Sequence, residues 1–117
     1  MIERIQGKFE GRNKAVAYKD LVFTVATASD DTLDFEKQTK QTLETLELNL
    51  NELNSSKKQI LSAQVYISDM NNKKKMDELW CQWIGENQKD WPQRACLGVV
   101  LEGGIQIEIT LTAIRNI

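Results

Sequence analysis

Two apolar alternations late in the chain constrain the fold more than any other feature. Ala95, Leu97, Val99 and Leu101 recur at every second position, and so do Ile105, Ile107, Ile109, Leu111 and Ala113. Period two marks a strand with one face against a core. Glu102-Gly103-Gly104 separates the runs, which predicts an antiparallel pair joined by a short loop. A tight Gly103-Gly104 turn would oppose Val99 to Glu108 and bury the acid among apolar side chains. A loop of Glu102, Gly103 and Gly104, with a glycine at φ > 0, instead pairs Leu101 with Ile105, Val99 with Ile107 and Leu97 with Ile109. A slip of one residue decides which face is buried, so the longer loop is expected. It sets Gly98 opposite Glu108 and Cys96 opposite Thr110. Arg94, Cys96 and Glu108 then share the polar face, with ~13 Å along the strand between Arg94 and the position facing Glu108.

The rest of the chain supplies the other layer. Ile2 to Phe9 is weakly patterned and fits a short strand, and Gly11-Arg12-Asn13 reads as a turn. Ala15 to Tyr18 and Leu21 to Ala28 flank Lys19-Asp20 as a hairpin, the second run apolar on both faces and therefore central. Ser29 to Thr32 offers N-caps. From there Phe35, Thr39, Leu43, Leu46, Leu50 and Leu53 mark one face of a helix of about five turns. Ile60 to Ser68 alternates, with Leu61, Ala63, Val65 and Ile67 on the core face. Asp69 and Asn71 can cap a second helix striped by Met76, Leu79, Trp80, Trp83 and Ile84, with Gly85 near its end. Trp91 reads as a core residue, and Lys73-Lys74-Lys75 as a solvated helix face. The expected fold is an α+β sandwich, one domain over residues 1–117, with two helices on one face of a mostly antiparallel sheet. The other face carries Arg94, Cys96, Glu108 and Tyr66 and, being apolar in places such as Val100 and Ile114, is expected to meet other subunits.

Composition narrows the function. Net charge is −2, which gives no general attraction to nucleic acid or anionic membrane. There are no histidines, so histidine triads and histidine-based metal sites are excluded and no metal is expected. Cys81 and Cys96 are too sparse for a disulfide framework and fit a reducing compartment. The first residues are charged where a signal peptide needs an apolar run, and no run approaches ~20 apolar residues, so a cytoplasmic protein is expected.

Several local patterns, in order along the chain, carry a family resemblance. Pro92-x-Arg94-x-Cys96 precedes Ile107-Glu108-Ile109; Val65-Tyr66-Ile67-Ser68-Asp69-Met70 leads into the second helix; Gln38-Thr39-x-Gln41-Thr42-Leu43 lies in the first; and Gly11 to Val16 forms an early strand. Together these resemble the YjgF/RidA family over nearly the whole chain. The resemblance implies a chorismate-mutase-like fold and a homotrimeric barrel with clefts between subunits. It also implies hydrolysis of reactive 2-imino acids, such as 2-iminopropanoate and 2-iminobutanoate, to 2-keto acids and ammonia, a form of metabolite-damage control that needs no cofactor.

The residues suit that chemistry. An arginine fork binds a carboxylate through two charge-assisted hydrogen bonds, and Arg94 matches the family's carboxylate-binding arginine. An imine carbon is already electrophilic, so a carboxylate that orients or deprotonates water suffices; Glu108 matches the family's acid. Cys96 matches a cysteine whose backbone carbonyl faces the imine nitrogen. The family's tyrosine falls at Arg12, its strand serine at Val25, the following Gly-Gln at Ala26-Thr27, and its second-helix asparagine at Asp77. Expected site residues are therefore Arg94 and Glu108 for catalysis, with Arg94, Cys96, Arg12 and Thr27 for binding. Two other classes fit less of the chain. One is a trimer that binds small carboxylates without turnover. The other is a ribonuclease or translation inhibitor, against which stand the absence of histidine and of any aromatic-basic stripe.

Overall fold

The computed structural model describes residues 1–116. Its strands are β1 (Ile2–Gln6), β2 (Asn13–Tyr18), β3 (Leu21–Thr27), β4 (Ile60–Ile67), β5 (Gln93–Gly98) and β6 (Ile107–Ile114). Its helices are α1 (Phe35–Glu52) and α2 (Lys73–Ile84). The strands form one sheet in the order β1-β2-β3-β6-β4-β5, antiparallel except for β4 and β5.

The core is the layer between this sheet and the helices. Leu43, Leu46 and Leu50 of α1 and Met76, Trp80 and Ile84 of α2 close over Val22, Val65, Ile67, Ile107, Ile109 and Leu111. Both predicted helical stripes are therefore buried as read, except that Trp83 is only half-buried. Asp34, rather than Ser29 to Thr32, caps α1: its carboxylate accepts from the Lys37 amide and satisfies one of the first turn's orphan donors. Asp69 caps a single 3-10 turn over Met70–Asn72 that leads into α2, and Gly85 ends α2 at φ 91°. Trp91 is exposed, not core; its indole Nε1 donates to the Gly85 carbonyl at 2.9 Å and tethers the segment that leaves α2.

The expected hairpin of the last two strands does not form. β6 is paired along both edges, with β3 from Leu21↔Ile114 to Thr27↔Glu108 and with β4 from Ile60↔Ala113 to Ile67↔Ile107. No edge of β6 is left for β5. Instead β5 runs parallel to β4, with Ala63↔Arg94 and Val65↔Cys96, reached through α2 as a parallel crossover requires. The glycine segment still turns, since Gly103 has φ 58° and the Ile105 amide donates to the Glu102 carbonyl. The turn belongs to a loop that passes from the sheet edge over the end of β4 to the sheet centre. Buried Gln38 of α1 pins this loop: its Nε2 donates to the Leu33 and Gly104 carbonyls, both at 3.0 Å, and its Oε1 accepts from the Gln106 amide at 2.9 Å.

Two smaller departures follow from register. Leu61 is exposed and Ile60 is buried, because the pairing moves from Ile60↔Ala113 to Ser62↔Thr112 and bulges Leu61 out. Gly98 does not sit opposite Glu108 but beside Ile67. A Cβ on Gly98 would lie 2.6 Å from Met70 Cγ, so the glycine lets the 3-10 turn pack against β5.

Candidate functional site

Paired strand residues point to the same side of a sheet, which fixes the facing of every candidate. Ala63 and Val65 are fully buried under the helices, so Arg94 and Cys96, their partners on β5, also face the helices. Glu108 is paired with Thr27 on one side and Tyr66 on the other, and lies on the face away from the helices. Arg94, Cys96 and Glu108 therefore do not share one face, contrary to the expectation. The parallel pairing of β5 inverts its sides, and Leu97, expected in the core, is 49% exposed. As an edge strand, β5 has little alternation in burial to reveal its facing.

The Arg94 corner is built by β5 and α2. Arg94 Nη2 donates to Asp77 Oδ1 at 2.6 Å, and Lys73 Nζ donates to Asp77 Oδ2 at 2.9 Å. Asp77 and Lys73 are one helical turn apart on α2, the spacing at which side chains meet. The Arg94 guanidinium also lies over the Trp80 ring at 5.4 Å and contacts Met76 Sδ at 3.7 Å. Burial works against the Asp77 charge, but hydrogen bonds and charge from Lys73 and Arg94 outweigh it and hold its carboxyl below the usual range. Burial pushes the Cys96 thiol up, only partly offset by Lys73 and Arg94. A raised thiol stays protonated and is a weak nucleophile.

The second locus is a cavity of about 800 Å³ towards the other end of the sheet, around β2 and β3. It exists because β2 and β3 part company: their pairing stops at Ala15↔Thr24, while β3 continues to Thr27 beside β6. The gap is roofed by the segment between β1 and β2 and bordered by α1. Arg12, Thr27 and Glu108 all line it, with apolar surface from Phe9, Val25 and Leu48. Arg12 stacks on Phe9 with its guanidinium carbon 4.4 Å from the ring centroid. Lys14, also on the wall, is paired with Glu52 at 3.2 Å. Among the described residues neither Arg12 nor Glu108 enters an ion pair. No group of three or more potential acidic or thiol metal ligands occurs among them either.

The chain thus carries a cation at one sheet edge and, on the face of β6 away from the helices, an acid that lines a cavity. Comparison with known proteins places this arrangement. The family model described as Endoribonuclease L-PSP matches residues 12–115. The chain belongs to that family, the YjgF/Rid proteins. A RutC family protein of Haemophilus ducreyi is 30% identical over 95 residues, 80% of each chain. The solved structure of NMB1025, a YjgF family member from Neisseria meningitidis, superposes with a TM-score of 0.89 at 25% identity, over all of this chain and 97% of the other. Rv2704 of Mycobacterium tuberculosis, from the YjgF/YER057c/UK114 family, gives 0.86 at 23% identity, over 97% and 99% of the chains. The chorismate-mutase-like architecture expected of a YjgF/Rid chain is thereby established.

Two features of this YjgF/Rid chain do not follow from its family motifs. Asp77, which replaces the family's asparagine, is the direct partner of Arg94. Its position one turn after Lys73 is the local sign of an ion pair. Gln38 adjoins the apolar stripe of α1, and such a placement is the one local sign that a polar side chain is buried. No helix among the described residues is long and apolar enough to cross a membrane.

Proposed function

We propose that this protein hydrolyses small 2-imino acids to 2-keto acids and ammonia, as a homotrimer whose sites lie between subunits. The observation that carries the reading is the separation of Arg94 from the cavity that holds Arg12, Thr27 and Glu108. One protomer does not bring both to one small ligand, because Arg94 lies on edge strand β5 facing the helices, whereas Glu108 lies two strands away on β6 and faces the other side. A second copy, presenting its β5 edge to the cavity, supplies what the first lacks. The face away from the helices supports assembly: Tyr18, Leu21, Phe23 and Ile114 lie exposed across β2, β3 and β6. A patch of this kind usually marks an interface.

In the joined cleft Arg94 holds the substrate carboxylate with its planar fork. The Cys96 carbonyl faces the imine nitrogen, and Arg12 and Thr27 line the space for the rest of the molecule. Glu108 orients a water and takes its proton as the oxygen bonds to the imine carbon. The nitrogen gains a proton, the carbon–nitrogen bond breaks, ammonia leaves and the carbonyl forms. No electron acceptor and no covalent enzyme intermediate are needed. Location in the cytoplasm is consistent with the free thiols Cys81 and Cys96.

A second reading, binding of a small carboxylate without turnover, is favoured by one observation: Arg94 already holds an internal acid, Asp77. The two are separated by generating 2-iminopropanoate enzymatically and following its decay. Wild type is expected to accelerate the decay, and Arg94→Ala to lose roughly hundredfold of that acceleration. No acceleration by wild type, or an unchanged rate in the variant, sinks the hydrolase reading.

A further inference from the structure

Both oxygens of Asp77 are engaged, one by Arg94 and one by Lys73. The cluster is nonetheless reachable, since the side chain of Arg94 is 21% exposed and that of Asp77 36%. Any ligand carboxylate that reaches Arg94 arrives beside a fixed negative charge. We propose that Asp77 is a specificity-determining residue of the Arg94 site, selecting against ligands that bring a carboxylate alone and sparing those that bring a cationic nitrogen beside it. The inference rests on the reading that Arg94 receives a ligand carboxylate.

The argument is electrostatic. A 2-keto acid carries one negative charge. The protonated 2-imino acid carries the same carboxylate and an iminium, and is neutral overall. Two carboxylates on one guanidinium repel each other, and the repulsion is felt more strongly near protein than in bulk water. The keto acid bears that repulsion in full, whereas the iminium cancels much of it for the imino acid. With Lys73 and Arg94 at +1 each and Asp77 at −1, the cluster sums to +1. An asparagine at position 77 would leave +2 and grip any carboxylate. The acid thus lowers affinity for product relative to substrate. Met76 and Trp80, which also contact the guanidinium, keep it in place when Asp77 is replaced.

The test measures binding of 2-oxopropanoate to wild type, D77N, D77E and the R94A/D77N double variant by calorimetry, with thermal midpoints to confirm folding. D77N is expected to bind 2-oxopropanoate about tenfold more tightly. D77E, which keeps the charge, stays near wild type, and the double variant loses the gain. KM for 2-iminopropanoate shifts by less than about threefold in D77N, as expected for a neutral ligand. Weaker or unchanged binding by folded D77N, or no binding by any variant, overturns the inference. So does a fall in imino-acid KM as large as the fall in keto-acid Kd. Tighter, Arg94-dependent binding by D77N without turnover in any variant upholds the charge selection and removes the hydrolase reading alone.

Discussion

Arg94 and Glu108 stand in opposite circumstances. Arg94 is pressed between β5 and α2, stacked on Trp80 and bonded to an acid that Lys73 also holds. Glu108 lies on a wall of an open cavity, flanked by Thr27 and Tyr66, in no ion pair with a described residue. The first is positioned before any ligand arrives. The second enters no ion pair with a described residue and faces open space. A carboxylate-binding group benefits from a fixed geometry, whereas a base must have an unoccupied acceptor. The protein has put rigidity and availability on different elements, and on different faces of one sheet.

The most severe test of that division is complementation. R94A and E108Q are each expected to lose about hundredfold in kcat/KM. If every cleft takes Arg94 from one subunit and Glu108 from another, co-expression of the two inactive chains rebuilds intact clefts. Random assembly then restores about a quarter of wild-type activity. Restoration absent from mixed trimers, confirmed by mass, breaks the shared-cleft reading.

A middle-sized effect comes from Gln38, which holds the loop entering β6 and makes no hydrogen bond to Arg94, Asp77 or Lys73. Gln38→Leu leaves the Gly104 carbonyl and the Gln106 amide without their partner, at a cost of about 2 kcal/mol. Denaturant unfolding measures it. The two loci separate further if 2-oxopropanoate binding through Arg94 survives in this variant while turnover falls.

The smallest effect is a pH dependence confined to the Arg94 corner. The folded-state carboxyl of Asp77 is held below its ordinary value by Lys73 and Arg94, despite burial. A lowered pKa stabilises the fold fully above the unfolded value, near 3.9, and that contribution fades as pH falls through the lowered value. The stability gap between wild type and D77N is therefore constant above about pH 5 and closes in more acid solution. Thermal midpoints across pH 2–7 measure it, and a gap that widens with acid contradicts the assignment.

Periodicity told which residues face the core wherever an element has a sharp contrast of burial. α1 buries Phe35, Thr39, Leu43, Leu46 and Leu50 as its spacing predicts, and β6 buries Ile107, Ile109, Leu111 and Ala113. Pairing was another matter, because a strand's partner is set by contacts distant in sequence. Gly103-Gly104 reads locally as a hairpin turn, but β6, whose inward side chains are fully buried, has a neighbour on each edge. β5 was displaced to the rim and turned over, and Arg94 and Cys96 went with it. Arg12, Thr27 and Glu108, singled out by residue type, do line one cavity. The separation of Arg94 and Cys96 from that cavity was not legible, because it follows from strand order.

That order also governs how the chain can fold. β6 is the last strand in sequence, yet it alone joins β1-β2-β3 to β4-β5. Before it is inserted there are two separate ribbons, each with an open edge and an apolar side. Synthesis therefore delivers the whole set of parts before any of them can be locked, and the sheet closes only when residues 107–114 arrive between β3 and β4. A nascent chain halted within the loop that follows β5 would expose both edges of a slot built for one strand, the condition under which foreign strands pair and aggregates start.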